Sequence, residues 1–269
     1  MRTELLVLLA ASQFDERQDE EQAESAYRQI LEETPHHSAA LTALVEFLSR
    51  RQDWNGLVAL YLEQADAVSE AEIERELLQK SCALLEDVIG DEQRAIELWQ
   101  RVLDTDESAR DAYKALERLY RKHEQWGELV VLLLNLAELP ADAEYRVSVL
   151  IALAEVQHKA LADRPAALDT LQRAVSLVDG ADDSVVTHIE ELLRDEGGDD
   201  ETGFRLQVVE TLKPIYESQE KWDDWTDTVE VEFRLAEDVA DRIEILGRLA
   251  SIQEEKQLDT QGALATWSR

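Results

Sequence analysis

The sequence repeats itself, and the repeat interval limits the folds open to the chain more than any other feature. The segment Ala23-Glu-Ser-Ala-Tyr27-Arg-Gln-Ile30-Leu31 returns 72 residues later as Ala95-Ile-Glu-Leu-Trp99-Gln-Arg-Val102-Leu103. After a further 72 it is Ala167-Leu-Asp-Thr-Leu171-Gln-Arg-Ala174-Val175, and 96 residues on it is Ala263-Leu-Ala-Thr-Trp267-Ser-Arg269. Trp54, Trp126 and Trp222 keep the same two intervals, 72 and 96, with Leu57, Leu129 and Trp225 three residues behind them. Self-similarity of this kind marks an array in which one unit cannot bury its apolar face alone and stacked neighbours complete the core.

Within a block the apolar residues recur at helical spacing, as in Leu116, Leu119, Tyr120 and His123, then Leu129, Leu132, Leu133 and Leu136. Four such segments in 72 residues make two helical hairpins. No Asn-Gly or Asp-Gly turn separates alternating runs, so strands are not expected. Thr34-Pro35, Leu139-Pro140, Asp179-Gly180 and Gly197-Gly198 mark helix breaks.

These residues resemble the tetratricopeptide repeat, a hairpin of 34 residues. Ala23, Tyr27, Ile30 and Pro35 reproduce its helix B spacing, while Ala11 and Phe14 stand where its helix A requires them. Leu116 with Tyr120, and Leu212 with Tyr216, repeat a helix A pair, and Ala83, Ala154 and Ala250 supply the small residue where two helices touch. Helix B markers at residues 23, 57, 95, 129, 167, 225 and 263 give spacings of 34, 38, 34, 38, 58 and 38. The 58 exceeds the family period by 24, and the surplus falls between Asp182 and Arg205. Only Pro35 keeps the terminal proline and the helix A glycine never occurs, so the half-tetratricopeptide class stays close behind. The resemblance implies an all-α, right-handed superhelical solenoid: five hairpins over 1–181, an inserted helix and loop at 182–205, and further hairpins over 206–269. Because Ala263–Arg269 is the first half of a helix B, the expectation is that the chain continues, or that a neighbouring subunit covers this end through self-association.

Catalytic chemistry finds little support in the residues. His36, His37, His123, His158 and His188 lack the metal-binding spacing of H-E-x-x-H, and no phosphate loop, G-x-S-x-G or G-x-G-x-x-G occurs. The run Asp179–Glu190 has the length of a calcium loop, but Ala181 takes a ligand position and Ser184 the place of the required glycine. The single Cys82 allows no internal disulfide. The reading is therefore a non-enzyme with no cofactor and no metal. Core packing explains the six tryptophans better than a ligand cage.

Charge narrows the partners. With 27 Lys and Arg against 60 Asp and Glu, the net charge of −33 disfavours bare nucleic acid and anionic membrane surfaces. No stretch approaches the roughly 20 apolar residues of a membrane-spanning helix. Leu5–Ala11 behind Arg2 resembles a signal-peptide core, yet Glu4 is wrong for the basic region before it, and a cytoplasmic protein is expected. The acidity fits either recruitment of a basic partner or a surface suited to a salty cytoplasm.

One helix departs from this background. Lys114, Arg118, Arg121 and Lys122 fall at i, i+4, i+7 and i+8, on one helical face. In the register of the resemblance they line the concave groove and suit an acidic peptide segment; the competing reading pairs them with Asp111, Glu117 and acidic neighbours. The expected function is a non-catalytic protein-interaction scaffold or adaptor, with an acidic, chaperone-like charge mimic as the alternative.

Overall fold

The computed structural model describes residues 20–35, 37–178, 182–195 and 201–269. The run Leu5–Ala11, Phe14, His36, the turn glycines Gly180, Gly197 and Gly198, and the start of the calcium-like run at Asp179 lie outside the described residues. Among the described residues there are fourteen α-helices and no strand. The chain divides into two compact units, Met1–Glu124 and Gln125–Arg269.

The first unit contains α1 (Glu20–Glu33), α2 (Ser38–Arg50), α3 (Trp54–Ala67), α4 (Ala71–Leu84), α5 (Glu92–Thr105) and α6 (Arg110–Lys122), with a π turn at Leu85–Ile89 extending α4. Each helix packs on the next in the chain. Ala23 and Ala95 are fully buried, and Tyr27 stacks near Phe47 with ring centroids 6.0 Å apart.

The second unit contains α7 (Trp126–Glu138), α8 (Ala143–Glu155) with a π turn at Val156–Ala160, α9 (Arg164–Ser176), α10 (Asp183–Arg194), α11 (Glu201–Ser218), α12 (Trp222–Leu235), α13 (Val239–Glu255) and α14 (Thr260–Trp267). Successive helices again pack in order, and α8 also meets α10 while α9 meets α11. Helices that touch chiefly their neighbours in sequence are the hallmark of an all-α repeat array.

The backbone obeys the sequence intervals. Gln52, Glu124 and Glu220 stand 72 and 96 residues apart, two residues before the marker tryptophans, and all are left-handed with φ of 56°, 54° and 55°. Gly90, Ala162 and Leu258 keep the same intervals at φ of 79°, 54° and 56°. Left-handed residues end a helix and turn the chain into its partner. Asp91, Asp163 and Asp259 follow directly, and their carboxylates accept from the backbone N–H groups of Arg94, Ala166 and Gly262, capping α5, α9 and α14.

The expected small residue is displaced in the first block. Ala154 and Ala250 are buried, but Ala83 is exposed, and the buried residue 72 positions before Ala154 is Cys82. One position moves a side chain about 100° around a helix, enough to exchange core for solvent.

The run Ser184–Leu193 lies in α10, which enters the stack. Its buried stripe Val185, Val186, Ile189 and Leu192 reproduces that of α6, Ala112, Tyr113, Leu116 and Leu119, at an interval of 73. Helix α11 repeats the stripe at 96 with Val208, Val209, Leu212 and Ile215. Thus α10 packs on α9 as α6 packs on α5, and one further helix of the same type follows.

Polar contacts fasten α10. The buried Arg164, at the start of α9, donates to the carbonyls of Leu192 at 3.0 Å and Asp195 at 2.7 Å, satisfying acceptors at the end of α10. His158 Nε2 lies 2.9 Å from Asp195 Oδ2. Where Arg164 stands, the other three copies have Glu20, Glu92 and Thr260, so this cap belongs to the copy that α10 follows.

Candidate functional site

The amphipathic pattern of α6 buries its apolar stripe and turns Lys114, Arg118 and Lys122 outward, with Arg121 half-buried. Arg118 forms an ion pair with Glu86 in the π turn after α4, and Lys122 forms one with Glu92 at the start of α5. His123 Nε2 also lies 2.8 Å from Glu92 Oε2, and Arg121 sits 3.0 Å from Glu117 one turn back. Among the described residues, Lys114 is the member of the stripe with no carboxylate partner.

These contacts give three cations a role inside the first unit. Glu86 also accepts from Trp99 Nε1 at 2.7 Å, so one carboxylate ties the π turn, α5 and α6 together. The hydrogen bond from Lys122, joined by that of His123, holds Glu92 below the ordinary carboxylate range. The pairing with Glu117 follows from i, i+4 spacing alone. Glu86 and Glu92 lie 32 and 30 residues from their partners, and only the packing of α6 on the preceding hairpin brings them together.

A second feature lies wholly in the other unit. Helices α9 and α11 frame a trough of about 650 Å³ whose walls include Val175, Leu206, Gln207 and Pro214. Gln172 Nε2 donates to Thr211 Oγ1 at 2.8 Å across it. Pro214, inside α11, supplies no N–H to the carbonyl of Glu210, which also lines the trough. An apolar wall with a few polar groups is the usual make-up of a binding surface.

The tryptophans divide. Trp99 and Trp225 are buried, Trp225 with its indole N–H donating to Glu217, while Trp54, Trp126 and Trp222 are half-buried. Trp267 departs from the expectation of core packing and is 60% exposed. Its counterpart Trp99 belongs to a helix on which α6 packs, whereas α14 has α13 as its packing neighbour among the described residues.

Burial pushes the Cys82 thiol up to about 12, so it is protonated at neutral pH. Among the described residues no group of three or more His, Cys, Asp or Glu is placed to hold a metal, and no helix is long and apolar enough to cross a membrane.

Fold and surfaces together define an all-α array of tetratricopeptide-like hairpins. No protein-family model and no curated protein matches the sequence. Solved structures similar to it include the following two. One is the structure of Naa15/Naa10 bound to HypK-THB, with 15% identity and a TM-score of 0.44 over 100% of this chain. The chain spans 43% of the length of that chain. The other is a tetratricopeptide repeat protein from Parabacteroides merdae ATCC 43184, with 16% identity and a TM-score of 0.35, covering 98% of this chain and 93% of the other.

Proposed function

We propose that this protein is a non-catalytic interaction scaffold that holds an extended segment of a partner protein. The observation that carries this reading is the trough of α9 and α11, with half-buried Val175 and Leu206 beside the carbonyl of Glu210, to which Pro214 offers no helical N–H. A peptide laid there buries apolar side chains and offers N–H donors to that edge. On α6, Lys114 is the cation available to a partner's carboxylate, and an acidic segment reaching Arg118 or Lys122 has to displace Glu86 or Glu92. Arg118 and Lys122 are themselves exposed, so water screens the pairs they would leave.

Panning a random 16-residue peptide display library against the full chain tests this. Selected peptides should lose about tenfold or more in affinity when Leu206→Arg fills the trough, and acidic ones should weaken with Lys114→Glu. Selection of nothing, or of peptides indifferent to both substitutions, overturns the reading. The charge-mimic alternative rests on the net charge of −33. It predicts binding of polylysine that collapses between low and moderate salt and ignores Leu206→Arg.

A further inference from the structure

We propose that the trough of α9 and α11 selects a partner segment that carries a lysine or arginine among its apolar residues, and that Glu210 receives this cation. The proposal rests on the scaffold reading above and names the chemistry of the segment that the trough holds.

The internal copies show what the trough lacks. In α6, the face bearing Asp111, Arg118 and Lys122 is joined to α4, its π turn and the start of α5 through Gln79, Glu86 and Glu92. In α10, at an interval of 73, the same face is joined to α8 and its π turn. His188 lies 3.4 Å from Glu155, Glu191 3.5 Å from Lys159, and Asp195 2.9 Å from His158. In both copies charged pairs close the gap to the helix two places earlier in the chain.

At α11 that closure is missing. Gln207, Glu210, Pro214 and Ser218 stand 96 residues after Asp111, Lys114, Arg118 and Lys122, and all four line the trough. Three cations of α6 have thus become one carboxylate and two uncharged residues. Among the described residues no ion pair joins this face to α9, and the gap stays open between Val175 and Leu206.

Glu210 is the one charged side chain among the described residues that line the trough, and it is 66% exposed. Its Oε1 accepts from Lys213 Nζ at 2.6 Å, and among the described residues Oε2 has no partner. Lys213 does not compete for that oxygen, because its buried ammonium lies 3.1 Å from buried Glu232. A cation from the partner takes Oε2 while Lys213 stays between its two carboxylates. Apolar residues of the same segment, laid on Val175 and Leu206, keep water from the new pair and strengthen it. A carboxylate in that place would meet Glu210 in a chain of net charge −33.

The test pans two 16-residue peptide display libraries, one complete and one built without lysine and arginine, against the full chain. Clones that Leu206→Arg abolishes are trough binders, and these should come from the complete library and carry a lysine or arginine. In fluorescence anisotropy, Glu210→Gln, or glutamine in place of the peptide cation, should each weaken binding about fivefold or more, and both together no more than either alone. Glu144→Gln, the same change of charge at an exposed position of α8, should leave affinity within about twofold. Glu210→Lys should select peptides with aspartate or glutamate instead, a gain that misfolding does not produce. Trough binders drawn equally from the library without lysine and arginine, or a cation effect that survives Glu210→Gln, overturn the proposal and leave the scaffold reading standing. If neither library gives a clone sensitive to Leu206→Arg, the scaffold reading of the trough fails and the proposal fails with it.

Discussion

Thr170 Oγ1 donates to Gln157 Oε1 at 2.7 Å inside the second unit, and both residues are buried. The relationship recurs 96 residues later, where Thr266 Oγ1 donates to Gln253 Oε1 at the same 2.7 Å. In the first block, 72 residues before Gln157 and Thr170, the two places hold Leu85 and Leu98, also buried. Among the copies whose two positions are both described, this site holds either a satisfied polar pair or an apolar pair.

Mixing should be costly, since a buried hydroxyl without its acceptor loses its solvation with nothing in return. Gln157→Leu alone should destabilise the second unit by about 1–3 kcal/mol, and adding Thr170→Leu should recover most of that loss. Urea denaturation of the two single variants and the double variant gives the coupling. Strict additivity would show that the pair acts as two independent side chains.

The same comparison shows what the residues disclose in advance. Ala23, Ala95, Ala167 and Ala263 announce the array because each must be small and buried, and packing leaves no other choice. The left-handed turns are hidden, because Glu124, Glu220 and Leu258 adopt positive φ without being glycine. The stripe from Lys114 to Lys122 is legible as a cationic face from helical periodicity, but its partners Glu86 and Glu92 belong to other elements and are fixed by tertiary packing. Arg164 carries no local signal as the cap of α10, since its acceptors lie 28 and 31 residues away.

Two glycines should respond in opposite directions. Gly90 is left-handed and a Cβ there meets nothing within 4 Å, so Gly90→Ala incurs a backbone penalty alone, about 1 kcal/mol. Gly127, in the first turn of α7, has equal space and no positive φ, so Gly127→Ala should gain about 0.5–1 kcal/mol. Chemical denaturation of both variants checks the pair, and a loss at Gly127 would mean that the open space is occupied in solution.

Acid should loosen the attachment of α10. The hydrogen bond from His158 holds Asp195 below its ordinary value. Burial raises Glu155, but hydrogen bonds from His188 and Lys159 bring it below its ordinary value as well. Depressed carboxylates contribute stability that is complete above the unfolded-state value near 4 and is lost as pH falls through the folded values below it. The urea midpoint should therefore drop below about pH 4, and Asp195→Asn with Glu155→Gln should flatten that part of the profile. An unchanged acid limb in the double variant would place the sensitivity elsewhere.

The buried ion pair of the last block offers the sharpest test of what holds its helices together. Lys213 Nζ on α11 lies 3.1 Å from Glu232 Oε2 on α12 and 2.6 Å from Glu210, and Glu232 also meets Arg248 of α13 at 3.0 Å. Lys213 and Glu232 are both buried, yet 96 residues before Glu232 the array places Leu136, an ordinary core residue. Removing one charge strands the other away from water, with only the partly exposed Arg248 left to compensate. Lys213→Met should thus cost the second unit about 3 kcal/mol, whereas Lys213→Met with Glu232→Leu should return to within about 1 kcal/mol of the parent. The reason is that desolvating two charges largely cancels their attraction, so an apolar pair of similar volume serves as well. A double variant as unstable as the single one would show that the pair contributes net stability, and that the leucine of the earlier block cannot be transplanted here.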